Sequence, residues 1–313
     1  MTTKKLAKPI ILTLGLAFML CCLAGCVGIG NTYANADKYS SGNLDYDGEI
    51  TALDINWSSG SVSVSHHDSS SVIVTETCNK DLSDAKKVHT WVDGKTLRIQ
   101  FSKSGESFVF DSYDKKLEIK LPKNIDLKTV AYDGSSADTV FDEIKAEKFD
   151  IDTSSGKVSL KSCEADEVIA DTSSGNINID LKGDCSKITA DASSGDVFVS
   201  AGEVRTAKFD TSSGKVNAEL KSAESITCDT SSGDMTFKMQ KAPSKMDLDA
   251  SSGDVTLYLP KQSDVKIEAD TASGDFESDI SFSKSGDTYT LGSGDNTISI
   301  DTSSGDIYVK EYK

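Results

Sequence analysis

The five residues Asp152-Thr153-Ser154-Ser155-Gly156 recur in phase down the chain, and that recurrence limits the fold more than any other feature. Copies or near copies occupy 171–175, 191–195, 210–214, 229–233, 249–253, 270–274 and 301–305. From Gly156 to Gly274 the motif glycines are spaced 19, 20, 19, 19, 20 and 21 residues apart. A degenerate copy, Asp133 to Ala137, precedes them, and a fragment, Ser58-Ser59-Gly60, lies further upstream. A period near 20 means stacked repeats. A unit this short cannot bury its own apolar face, so its neighbours must cover it.

Counting each glycine as position 0 exposes the local structure. Position −7 is Phe149, Val168, Ile188, Ala207, Ile226, Met246 and Ile267, and position −5 runs from Ile151 through Phe209 to Ala269. Position +2 is Val158, Ile177, Val197, Val216, Met235, Val255 and Phe276, and +4 is apolar until Ser278. Apolar residues at every second position are β periodicity. Odd positions face inward before the glycine and even positions after it. A glycine with positive φ, able to form a corner or bulge, is the expected cause of that switch. Thr or Ala at −3 is expected inside the corner and Asp at −4 outside, with Asp and Ser side chains tying the turn.

The predicted fold is therefore all-β: a parallel β-solenoid of coils about 20 residues long, with equivalent strands paired about 4.8 Å apart. Residues 126–313 form the repeat part, with the regular array from Val130 to Phe276. Residues 49–125 read as an irregular β-rich cap plus first coils, including a hairpin over Trp91–Ile99 and one helical turn at Asp84–His89. After Phe276, residues 282–291 read as an inserted hairpin covering the edge of the last coil, and Ile298 to Val309 repeat the pattern once more. The step Leu117 to Lys123 echoes Leu257 to Lys261, each ending Leu-Pro-Lys before a fresh coil. This step and the tandem Asp-Thr-Ser-Ser-Gly-Asp-Val units resemble the bacterial DUF4097 "putative adhesin" β-strand-repeat family over about residues 50 to 312. The resemblance implies a β-solenoid domain at the cell envelope, with no enzymatic activity and no catalytic residues to carry over.

Residues 1–25 have the pattern of a targeting segment: Lys4, Lys5 and Lys8, then an apolar run from Ile10 to Leu23. That run is shorter than the roughly 20 residues a membrane span needs. It ends Leu23-Ala24-Gly25-Cys26, which resembles the lipobox of bacterial lipoproteins. The resemblance implies cleavage before Cys26 and acylation there, a diacylglycerol of the palmitate class, holding the protein outside the cytoplasm on the cell membrane. Residues 26–48, without periodicity, are expected to be a flexible tether. Removing Lys4, Lys5 and Lys8 from the 33 basic residues leaves 30 against 50 acidic, a net charge of −20. Such a surface excludes nucleic acid as a partner.

The carboxylates at −4, Asp152, Asp171, Asp191, Asp210, Asp229, Asp249, Asp270 and Asp301, invite a weak Ca²⁺ ladder, since parallel β-rolls bind Ca²⁺ through repeated Asp-rich turns. Asp196, Asp234, Asp254, Asp275 and Asp306 follow their glycines at +1, but Lys157, Asn176 and Lys215 hold that place elsewhere, which favours turn architecture over a cation site. No other cofactor is expected. A glycan-active β-helix enzyme needs two carboxylates in a cleft, and no long loop interrupts the array to make one. His66, His67 and His89 read as surface residues, and Trp57 and Trp91 as core or cap. Cys78, Cys163, Cys185 and Cys228 read as free thiols, with a Cys163–Cys185 bridge as the alternative. What remains is a non-enzymatic envelope protein that adheres to or binds an envelope protein or polysaccharide. A regulatory partner in envelope-stress signalling is the second reading, and the functional surface is expected on outward residues between corners.

Overall fold

The computed structural model describes residues 32–107 and 113–313. Its regular structure is β-strand throughout, apart from a 3-10 turn at Ala36–Lys38. Within a repeat, a strand such as Lys145–Thr153 runs to the Ser-Ser-Gly corner, and the chain leaves in the next strand, Val158–Thr172. That second strand continues without a break into the following repeat. Each residue pairs in parallel with its equivalent one repeat away: Asp152 with Asp171, Thr153 with Thr172, Val158 with Ile177 and Leu160 with Ile179. Phe149, Ile151, Thr153, Val158 and Leu160 are all buried, so the inward set does change parity across the glycine. The core is a column of such residues down the stack.

The described residues form eleven levels, and their spatial order departs from chain order at both ends. Thr96–Gln100 and Lys115–Pro122 make the first level. The second is Ala52–Trp57 with Ser61–His67, which precede them in sequence. The third is Leu127–Gly134 with Asp138–Asp142. The chain thus starts on level two, moves outward to level one, then steps over itself to level three. Levels four to nine follow in chain order to Val255–Leu259. The C-terminal end mirrors the start. Val265–Thr271 occupies level eleven, and Asn296–Thr302 with Ile307–Glu311 return to fill level ten. The copy that comes last in sequence therefore lies inside the stack rather than at its end.

The two Leu-Pro-Lys steps are where the chain jumps a level. A rise of one level, about 4.8 Å, needs only a bend in a continuing strand. A rise of two must leave the sheet, and proline ends the strand because it has no N–H to donate. In both jumps the proline carbonyl accepts a turn hydrogen bond three residues on, from Ile125 N–H to Pro122 (3.2 Å) and from Ser263 N–H to Pro260 (3.1 Å).

Antiparallel strands close the ends. Val72–Cys78 covers Lys115–Pro122, and His89–Asp93 covers Thr96–Gln100 through a turn at Gly94, φ 63°. The expected helical turn at Asp84–His89 is a single turn in which Lys86 and Lys87 N–H both reach Ser83 O. Ser40–Ser41 and Leu44–Tyr46, inside the stretch expected as tether, pair with the two covering strands and belong to the cap. At the other end Thr288–Leu291 lies antiparallel on Val265–Thr271 and pairs with Ser283–Ser285, so the inserted hairpin covers the outermost level.

Candidate functional site

The motif is first a corner. The threonine hydroxyl at −3 closes it, accepting the N–H of the motif glycine at 3.0 Å in Thr172–Gly175, Thr230–Gly233 and Thr302–Gly305. These bonds do the work expected of Asp and Ser. The two serines instead carry the backbone ladder around the bend, as in Ser174 N–H to Ser154 O at 2.9 Å. The glycines of the array do not have positive φ; their requirement is one of space. A Cβ at Gly214 would stand 1.8 Å from the carbonyl oxygen of Gly195, and one at Gly233 1.7 Å from that of Gly214. Backbone crosses directly over backbone at each corner, a closeness that only a residue lacking Cβ allows.

Two acidic columns flank the corner. At +1 the side chain accepts the N–H of the +1 residue one level up: Asp196 from Lys215 (2.9 Å), Asp254 from Asp306 (2.9 Å) and Asp306 from Asp275 (2.9 Å), with Asn176 doing the same for Asp196 (3.0 Å). Lysine interrupts this column, and Lys215 pairs instead with Asp234 at 2.8 Å. At −4 the carboxylates stand in register, Asp152, Asp171, Asp191, Asp210, Asp229, Asp249, Asp301 and then Asp270. Burial against neighbouring levels raises the pKa of Asp152, Asp171, Asp191, Asp210, Asp229, Asp249 and Asp301, and neighbouring carboxylates add to it. Lys208 offsets this for Asp191, Asp210 and Asp229. Among the described residues, no three His, Cys, Asp or Glu side chains converge closely enough to hold a metal ion; the ladder carboxylates stand one per level.

The outward face of the strands after the corner is a different surface. Position +3 lies on the outward side of these strands, with Asn178, Phe198, Asn217 and Thr236 at least partly exposed on levels five to eight and Ser159 nearly buried on level four. Phe198, 40% exposed, is the exposed large apolar residue among the described ones. A groove of about 410 Å³ crosses these five levels between the +3 residues and the charged residues at +5. Sequence reasoning placed function on outward residues between corners but did not single out Phe198. Its break in the +3 column of levels four to eight, polar at its other four places, is the signal that finds it.

The N-terminal end carries a buried ion pair that sequence reading did not anticipate. Lys115 occupies the corner-glycine place of level one, directly under Gly60. Its side chain is fully buried, its ammonium 2.6 Å from the Glu76 carboxylate. It also donates to the carbonyls of Lys86 (2.7 Å) and Phe101, and lies over the rings of Trp57 and Phe101. Burial lowers its pKa, with Glu76 opposing. Trp57 and Phe101 hold the −3 place on levels two and one, so bulky groups plug the corner that Thr and Gly keep open elsewhere.

The other singled-out residues are structural. His66 lies against the Leu121 and Pro122 carbonyls and His67 donates to the Ser71 carbonyl, while His89, expected at the surface, is buried and donates to the Lys87 carbonyl. Trp91 meets the Tyr39 ring edge-on. Cys78, Cys163, Cys185 and Cys228 are free thiols; burial pushes Cys163 and Cys185 up to about 11 and Cys228 well above the usual thiol value. Cys26 lies outside the described residues.

The family model described as Toastrack DUF4097 matches residues 50–310. Among solved structures, the chain is similar to a putative adhesin from Parabacteroides merdae, with 13% identity, TM-score 0.50, and coverage of 92% of this chain and 100% of that one. It is also similar to a putative adhesin from Bacteroides fragilis (14% identity, TM-score 0.41, covering 86% and 95%). A lipid binding protein from Parabacteroides distasonis, described as putative, matches at 14% identity with TM-score 0.39, covering 88% and 97%. No curated protein matches.

Proposed function

Because the chain belongs to the Toastrack DUF4097 family, we propose that it is a non-enzymatic cell-envelope protein, a parallel β-solenoid rod that holds an envelope polymer or protein on its outward strand face. The observation that carries this reading is the in-register face after the corners, with its groove and its exposed Phe198. Eleven levels at about 4.8 Å give a rod of about 50 Å, long enough to meet an extended partner at several points. The Parabacteroides merdae protein is described as a putative adhesin, and adhesion fits a rigid, repeated strand face. Lipidation at Cys26 would hold the rod at the membrane, and the net charge of −20 left after cleavage there would keep it from lying down on anionic lipid.

The test is co-sedimentation of the purified chain with cell envelopes from its own bacterium. Saturable retention that survives 0.5 M salt is expected, because a groove of stacking and hydrogen-bonding groups is little screened (the Debye length is then only several ångströms). Retention that never saturates, or that salt abolishes, removes the reading. Labelled palmitate incorporated by the wild-type chain and lost in Cys26→Ser tests the anchor separately.

A further inference from the structure

We propose that the groove across levels four to eight binds a neutral, extended β-linked glycan lengthwise, with Phe198 as the platform on which one sugar ring stacks; this deepens the envelope-binding reading and rests on it. Phe198 stands in a strand, Val197–Thr211, whose neighbours hold it from both sides in parallel register, Phe198 pairing with Asn178 below and Asn217 above. An exposed aromatic side chain flanked in register by two carboxamide residues is suited to a pyranose. The ring face takes the apolar C–H face of the sugar, and a carboxamide supplies both donors and acceptors for hydroxyl and acetamido groups. Ser159 and Thr236 extend the polar column one level further each way.

The charges along the groove decide the class of polymer. Its +5 side carries Lys161 and Lys238 against Asp180 and Glu219, two of each sign, on a chain of net charge −17. A polyanion such as a polymer of glycerol phosphate would meet no basic excess here and would be repelled by the rest of the rod. A polycation would find stronger acidic columns at the corners. A neutral chain loses nothing to either field.

The axial repeat decides the direction. Equivalent side chains recur every level, about 4.8 Å apart, and one ring of an extended β-linked glycan advances by a comparable distance. A chain laid along the stack therefore offers each successive level a successive ring. Laid along a strand instead, it would leave the groove after a few residues.

The experiment is titration calorimetry of the purified chain with cellohexaose, with the β-1,4-linked N-acetylglucosamine hexamer, and with their dimers. Saturable binding of at least one hexamer is expected, at least tenfold tighter than its dimer because the dimer reaches fewer levels. Phe198→Ala is expected to weaken hexamer binding at least tenfold and Asn217→Ala severalfold. Both side chains lie on the outward face, and an unchanged circular dichroism spectrum and Tm show that the fold is kept. No binding of either hexamer, equal affinity for dimer and hexamer, equal affinity of Phe198→Ala and wild type, or tighter binding of poly(glycerol phosphate) than of the hexamers would each overturn the proposal. If hexamers do not bind while envelopes still retain the protein, the glycan inference falls and the envelope reading stands; loss of both removes both.

Discussion

Replacing Gly214 by alanine tests why glycine recurs. Gly214 lies at the corner of level seven, and its added Cβ would stand 1.8 Å from the Gly195 carbonyl oxygen and 2.6 Å from its carbon. Cβ atoms essentially never come within 3.0 Å of other heavy atoms, so level seven must part from level six by more than an ångström at this point. Overpacking of this kind costs about 1–3 kcal/mol. The parting also strains the corner hydrogen bonds from Ser212 and Ser213 N–H to Ser193 O, 3.2 and 3.1 Å long, each with a net contribution of about 1 kcal/mol. Gly214→Ala should therefore destabilise by about 3 kcal/mol. Gly94→Ala is the control, because Gly94 has φ 63° and nothing within 4 Å of an added Cβ. It should cost about 1–2 kcal/mol, the left-handed backbone term alone. Urea unfolding of both variants, with wild-type m-values, gives the comparison. A Gly214→Ala cost below that of Gly94→Ala would refute the close-approach argument and restore a conformational role for the motif glycine.

Three further outcomes are expected. Carboxyls of the −4 ladder hold protons more tightly folded than unfolded, so stability should rise as pH falls from 7 through their raised folded values and level off below the usual 3.8; in Asp171→Asn/Asp191→Asn/Asp210→Asn the rise in Tm between pH 7 and about 4 should shrink, and an unchanged slope would count against the ladder as its source. Lys115→Met leaves the Glu76 carboxylate buried without its cation and should cost about 3–5 kcal/mol, while Lys115→Met/Glu76→Gln should recover most of that in the same urea titration; a double variant no better than the single would mean that the pair does not act as a pair. Asp249→Cys/Asp301→Cys should form a disulfide on mild oxidation and Asp249→Cys/Asp270→Cys should not, because levels nine and ten are adjacent and level eleven lies beyond; the opposite pattern in a non-reducing mobility assay would restore chain order to the stack.

The all-β class, the inward positions and the parity change were legible because they depend on neighbours two to seven residues away. Phe149 and Ile151, then Val158 and Leu160, show the alternation within one unit, and no distant contact changes it. What was not legible depends on the level above or below. Gly214 reads equally well as a φ-permissive residue or as a crossing point; only the Gly195 carbonyl beneath it decides. The intercalated ends were hidden for the same reason, since Asn296–Thr302 has the pattern of any other level. The echoed Leu-Pro-Lys step was the one local trace, visible but not interpretable without the pairing. The same echo, aligned on Pro122 and Pro260, sets Lys115 on Gly253 and so marks the place of the plug. Of the candidate site, the acidic columns were visible as columns, but their task was not. The +1 carboxylates bond backbone N–H on the next level, a role no single repeat displays.

If the motif builds the stack while the face between corners does the binding, envelope retention of two variants separates the two roles: the ladder-neutralised Asp171→Asn/Asp191→Asn/Asp210→Asn chain and the face variant Phe198→Ala/Asn217→Ala. The ladder variant should be retained like wild type, and the face variant should lose at least nine-tenths of its retention. Loss in the ladder variant with full retention of the face variant would make the repeated motif itself the ligand-binding element.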